Sequence, residues 1–363
     1  MDYKNIINEQ LEAMDLEALE ELAGKGDPFG LSGLTVREII ERLINREPLF
    51  EIDRIISSVG EIFLKEVFSS VSLGIQLLAV CILMALMVHL CSAFGKSAAS
   101  SIGAMACSCA AIALCLFNFR DVYFLCEGTV SNMALFMQVL IPVLLPLILA
   151  IGGLSSGGIL SPAIISSVTI FATLIEKLIL PLLFFSCIFI LGNSLADRDY
   201  VKKLALLLRS IAVFILGLAV TIFSGLTAIQ SLVTKSADGM LIRTAKFSVD
   251  NLIPIVGGFA ADSLDMVLSC TSIIKNSIGI FGLIVIILLI ALPLIKVLAV
   301  ALVYKVTAAL VEPIGNKVIA DCLNEMGNTV ILLAVVMFLC AVLFIIFISI
   351  LISISTALKG GIL

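Results

Sequence analysis

Between Lys235 and Lys275 the chain sets Lys235, Asp238, Arg243, Lys246, Asp250, Asp262, Asp265 and Lys275 among aliphatic and aromatic side chains. Carboxylates and amines in apolar surroundings can line a polar path, pair with lipid headgroups or form the charged rim of a conduit. On a helix Arg243 and Lys246, three apart, share a face, and so do Asp262 and Asp265. Gly257-Gly258 breaks the stretch between the two pairs. The segment is too polar for an ordinary membrane span and too apolar for a free loop. An interfacial helix followed by a re-entrant segment fits it, and so does a surface amphipathic helix with solvated charges. The candidate functional residues are therefore Asp238, Arg243, Lys246, Asp250, Gly257, Gly258, Asp262 and Asp265, joined by Lys296. Lys296 follows Pro293; if buried it needs a carboxylate, Glu312 or Asp265, and otherwise it snorkels to an interface, as Lys305 after Tyr304 would.

A second break, Gly152-Gly153-Leu154-Ser155-Ser156-Gly157-Gly158, lies among Pro142, Pro146 and Pro162. It reads either as an interhelix turn or as a broken helix whose exposed backbone lines a pathway. Enzyme chemistry finds no footing. With one histidine, His89, an H-E-x-x-H zinc motif cannot exist, and neither a phosphate-binding G-x-x-x-x-G-K-[ST] loop nor a G-x-S-x-G elbow occurs. The ten cysteines include no C-x-x-C and mostly lie within apolar runs, where cysteine acts as a small hydrophobe. No catalytic residue, metal site or cofactor is called for. Any energy source would come from another subunit or from a gradient.

The elements that must position these residues are membrane helices. Uncharged runs extend over Val67–Gly95, Ser97–Phe119, Gly128–Ile175, Leu178–Ala196, Ser210–Thr234, Asn276–Ile295 and Met326–Leu358. A helix needs about 20 apolar residues to cross the hydrocarbon, and in lipid a helix satisfies its own backbone. The fold class is all-α: a polytopic helical membrane protein with eight or nine spans and a short N-terminal helical tail. The expected spans are 68–91, 100–119, 132–151, 159–176, 178–195, 209–230, 277–295, 297–312 and 329–354. Arg120-Asp121 and Glu176-Lys177 read as span-ending pairs. The fourth and fifth spans form either a tight hairpin or one broken helix, and the pair divided by Pro293 and Lys296 carries the same ambiguity.

Apolar residues make up 61% of the chain and mean hydropathy is +1.22, far above a soluble domain. Residues 1–66 hold 15 acidic and seven basic residues, net -8, while the remainder nets +3. The chain divides into an acidic amphipathic tail, 1–66, and a transmembrane domain, 67–358, that contains the charged segment 235–275. Such a charge pattern leaves no nucleic-acid footprint. The tail shows a helical stretch over 3–23, a capping box at Thr35-Val36-Arg37-Glu38 and a stripe of Ile52, Ile55, Ile56, Val59 and Phe63. It is either a lid packing on itself or the membrane, or a docking platform for partners. No signal peptide is visible at Met1. Arg198, Lys202, Lys203 and Arg209 form the densest basic loop, which the positive-inside rule places in the cytoplasm. Counting back from that loop puts the tail outside.

Several motifs are similar to the stage III sporulation protein AE family of endospore-forming bacteria. They are Ala237-Asp238-Gly239, Ile242-Arg243-Thr244-Ala245-Lys246-Phe247, Ile253-Pro254-Ile255-Val256-Gly257, Lys275-Asn276-Ser277-Ile278-Gly279, Glu312-Pro313-Ile314-Gly315 and Asp321-Cys322-Leu323. The resemblance covers most of 50–358. It implies a multi-span protein of the mother-cell cytoplasmic membrane, sited in the outer forespore membrane. Its implied partners are the other stage III A sporulation proteins and the stage II Q protein, in an assembly similar to secretion systems that forms a channel or feeding conduit. The lipid bilayer and a second copy of the chain complete the set of partners. The family carries no established catalytic residues to transfer.

Two functions follow. One is a non-enzymatic membrane subunit of that transenvelope complex, its permease-like element. The other is a stand-alone secondary transporter of a small solute, with discontinuous helices at 152–158 and 257–258. A repeat relating two halves of the chain would support the second, and none is visible.

Overall fold

In the computed structural model, residues 52–93, 98–151, 166–194, 200–252, 257–314 and 317–353 are described, together with Leu19, Glu21, Glu38 and Arg42. Among them every regular element is helical: α1 (Ile52–Ala93), α2 (Ala98–Ala150), α3 (Ser166–Asn193), α4 (Lys202–Leu252), α5 (Gly257–Val311) and α6 (Lys317–Ser353). A 3₁₀ turn, Glu312–Ile314, follows α5 directly. The Gly152–Gly158 break and the tail helices at 3–23 and 35–47 lie, but for the four isolated residues, outside the described residues.

All six helices are long and apolar enough to cross a membrane, and the chain is an integral membrane protein. The expected eight or nine spans are not reproduced among the described residues. Three predicted pairs are each one continuous helix. Arg120 and Asp121 stand mid-way along the 53-residue α2, exposed. Glu176 and Lys177 fall in a π-helical turn, Ile175–Ile179, and α3 runs on through it. Pro293 lies inside the 55-residue α5, with Lys296 one turn on. The physical reason is that charge does not interrupt the backbone ladder, so a polar pair divides apolar runs without ending a helix. A helix of 53 residues is about 80 Å long, whereas the hydrocarbon core is about 30 Å thick, so α2 is far longer than one crossing requires.

The α5–α6 pair forms the centre. The low-numbered end of α5 meets the high-numbered end of α6: a Cβ at Gly279 would overlap the Ile352 side chain. Gly282, one turn on, receives α2 in the same way, with Leu140 Cδ2 only 2.7 Å from where its Cβ would stand. In lipid, helices gain little from apolar burial against each other, so such small residues set how closely backbones pack. Tyr304, fully buried, donates a hydrogen bond to the Cys115 carbonyl at 3.3 Å and ties α5 to α2. Phenylalanines knit α3 to its neighbours: Phe171 lies 4.9 Å from Phe223 on α4 and 6.2 Å from Phe344 on α6. Across the α2–α3 contact, Tyr123 lies 4.9 Å from Phe184. The outer helices are different. Only 17% of the apolar window of α1, and of α4, is buried, against 56% for α6. Leu19 of the N-terminal region is fully buried in the same apolar cluster.

Candidate functional site

The residues singled out in the sequence fall at the far ends of two long helices. Asp238, Arg243, Lys246 and Asp250 lie in the closing turns of α4, and Gly257 and Gly258 are the first residues of α5. Asp262 and Asp265 occupy the opening turns of α5. The chain from 235 to 275 thus runs as helix to Leu252 and as helix again from Gly257. Lys296 is exposed on the same helix as Asp265, and Glu312 follows that helix directly. Sixteen residues of helix separate Lys296 from Glu312, about 24 Å, so that pairing cannot form within the chain; Asp265, farther off along α5, is equally out of reach.

What the fold brings together is a different set. Where α4 begins, α5 ends and α6 begins, five polar side chains join across three helices. Arg209 Nη1 lies 2.7 Å from Glu325 Oε2, a half-buried ion pair with 15% and 31% of the two side chains exposed. The second carboxylate oxygen of Glu325 accepts a hydrogen bond from Asn328 Nδ2 at 3.3 Å. Asn328 turns its own carbonyl to Lys305, whose ammonium also donates to Asn324 Oδ1 at 2.7 Å. Lys305 is therefore held by two amide oxygens on α6 and does not depend on reaching bulk water. Its methylene stem lies over Gly327; a Cβ there would stand 3.2 Å from Lys305 Cγ and Cε. Spacing explains the convergence, because Asn324 and Asn328, four apart, share one face of α6 with Glu325 beside them.

Local contacts hold the three helices in this relation. Ser186 on α3 donates to the Ala205 carbonyl at 2.8 Å and anchors the first turns of α4. Asn193 Oδ1 accepts from the Val201 backbone amide at 3.2 Å, fastening the end of α3 to the start of α4. Cys187 on α3 touches Met326 on α6, sulfur to sulfur at 3.0 Å. The site holds two cations, one anion and amides, so it can bind, orient or gate charge; it offers no nucleophile–base pair. Among the described residues no three of His, Cys, Asp and Glu stand together as metal ligands.

Sequence reasoning missed this cluster. Arg209 reads as one of four basic loop residues, Lys305 as a snorkelling lysine, and Glu325 as the last charge before an uncharged run. The available signal was the triad Asn324, Glu325 and Asn328 in the opening turns of α6, where the uncharged run Met326–Leu358 begins.

At the other end of the bundle Lys275 is wholly buried. Its ammonium donates to the backbone carbonyls of Leu351 at 3.3 Å and Ile352 at 2.7 Å. Both acceptors are main-chain oxygens near the high-numbered end of the described part of α6. Beside it the side-chain oxygen of Asn276 is buried without a hydrogen-bond partner.

The comparisons with known proteins agree with one another. Residues 34–355 match the family described as stage III sporulation protein AE. The chain is also 33% identical over 240 residues to the stage III sporulation protein AE of Bacillus subtilis (strain 168), covering 66% of this chain. That match spans 60% of the length of the curated relative. No solved structure matches the fold. With the family match running from the middle of the tail through the whole described length of α6, the chain belongs to the stage III sporulation protein AE family, whose name assigns it a role in sporulation.

Proposed function

We propose that the chain is a non-enzymatic membrane subunit of the stage III A/stage II Q transenvelope assembly, its permease-like element, working in the outer forespore membrane. The family match supports this reading most directly. The bundle adds physical support. Its central helices are buried in one another, while α1 and α4 present long apolar faces outward, including Phe68, Ile75, Phe214 and Ile222. Helices of that kind contact lipid or neighbouring subunits, and α4 carries the charged segment with Arg243 and Lys246 at its far end. In this reading Asp238, Arg243, Lys246, Asp250, Asp262 and Asp265 form the charged rim where the subunit meets its partners.

The test is made in a spore-forming host lacking its own copy. Purification of the complemented protein from detergent extracts of engulfed sporangia should bring down other stage III A proteins and stage II Q. A chain that purifies alone and binds a small solute would replace the reading with that of a secondary transporter.

A further inference from the structure

From the groove between α4 and α6 we infer a binding site for one anionic phospholipid, with its phosphate held near Ser210 and an acyl chain laid along the helix pair. The groove is a shallow, open depression of about 730 Å³ lined by Arg209, Ser210, Val213 and Phe214 of α4 and by Asn328, Ile331 and Leu332 of α6. An adjoining depression of about 400 Å³ shares Ser210 and Phe214 and adds Lys203, Leu206, Leu207 and Ile211. Polarity is graded along the joined surface. Lys203, Arg209 and Ser210 of α4 and Asn328 of α6 supply the polar lining, with Leu206 and Leu207 between Lys203 and Arg209, and beyond Ser210 the α4 lining is apolar.

Lys203, Leu207, Ser210 and Phe214 succeed one another at spacings of four, three and four and so form one stripe of α4. Ser210 is the small member, a notch where the two depressions meet. Phe214, 70% exposed, stands beside it as a wall. Charge complementarity favours an anion. Lys203 is exposed on the rim, and among the described residues no carboxylate lines either depression. Glu325, behind the groove, is engaged by Arg209 and Asn328, and Asp321 is exposed one turn earlier on α6. The position favours a lipid over a soluble anion. The groove opens on the outer face of a helix of which only 17% of the apolar window is buried, and an apolar trough below a cationic notch matches headgroup above chain.

The test uses the full-length protein in nanodiscs containing equal parts phosphatidylglycerol and phosphatidylcholine of identical acyl chains, released for native mass spectrometry. Wild-type protein should retain phosphatidylglycerol preferentially. Lys203→Gln should cut that retention about fivefold, the effect of one basic group at an anionic surface. Ser210→Leu, which fills the notch without changing charge, should also remove it. Lys65→Gln, the same charge loss on α1, should leave retention unchanged and controls for net charge. Equal retention of the two lipids would overturn the site, as would undiminished phosphatidylglycerol in Ser210→Leu. Displacement of the lipid by millimolar inorganic phosphate would overturn it in favour of a free anion. Replacement of the lipid by a stoichiometric partner helix in protein from sporulating cells would overturn it in favour of a subunit contact.

Discussion

Lys275 Nζ sits 2.7 Å from the Ile352 carbonyl, so the buried lysine of one central helix binds the main chain of the other. The two helices also meet here through Gly279 and Ile352. Two main-chain carbonyls hold the ammonium, and among the described residues no carboxylate pairs with it.

Replacing Lys275 by Met keeps the length of the side chain and removes its donors. The Leu351 and Ile352 carbonyls then lose their partner, the first of them at a buried residue. The expected loss is about 1–3 kcal/mol, the cost of leaving a buried acceptor unmade. Hydrogen–deuterium exchange on the detergent-solubilised protein should show faster exchange over the last turns of α6, with the Arg209 end unaffected. Unchanged exchange there would show that the contact contributes nothing.

Gly279→Ala should disturb the same contact sterically. The added methyl meets Ile352 near its branch point, and Ile352 is itself fixed through its carbonyl. Overpacking of this kind costs about 1–3 kcal/mol. Gly282→Ala should be milder, because the atom it meets is the terminal Cδ2 of Leu140, which can turn aside. Pairing Gly279→Ala with Ile352→Ala should recover part of the thermal stability. If Gly282→Ala proves the more damaging, the assigned order of close approach is wrong.

The helical class of the molecule was legible because apolar runs of span length leave the chain little alternative in lipid. The number of helices was not. Arg120-Asp121 and Glu176-Lys177 divide apolar runs in the sequence, yet the backbone passes through both as helix. The glycine pair at 257–258, read as a break, stands at the first described residues of α5, beside the undescribed residues 253–256. The polar network escaped for another reason. Arg209 and Glu325 are 116 residues apart, and nothing local to either announces the other. Lys275 was read as one charge among eight, because its acceptors are main-chain atoms that no residue type discloses.

The Arg209–Glu325 pair lends itself to a double-mutant cycle. Arg209→Gln and Glu325→Gln should each lower stability, and the double variant should lose less than the two losses added together. For a half-buried pair the coupling should be about 1 kcal/mol, near the upper end for exposed pairs. Glu325→Gln should cost additional stability by loosening Asn328, which also holds Lys305. Strict additivity in thermal unfolding of the solubilised protein would mean that the pair is an incidental contact.

Arg243→Gln with Lys246→Gln tests the charged end of α4. The double change removes two positive charges while keeping polarity and approximate length. If this end meets partner carboxylates or headgroups, sporulation should stall after engulfment while protein level and membrane insertion stay normal. Wild-type spore yield would reduce the segment to a solvated helix end, where single charges contribute little.

The order of the helices makes orientation testable. If α1 to α3 each cross once, the N-terminal tail and the basic stretch around Lys202, Lys203 and Arg209 should lie on opposite sides of the membrane. With that basic stretch in the cytoplasm, as the positive-inside rule expects, the Arg209–Glu325–Lys305 network should stand at the cytoplasmic end and Lys275 at the far end. In a background without native cysteines, Tyr200→Cys should resist a membrane-impermeant thiol reagent in intact cells and react after lysis. Tyr200 suits the purpose because it is 75% exposed. Glu61→Cys, exposed near the start of α1, should react without lysis. The reverse pattern would turn the molecule over and carry the charged end of α4 to the cytoplasmic side. Reaction of both positions in intact cells would mean that one of the three intervening helices does not cross.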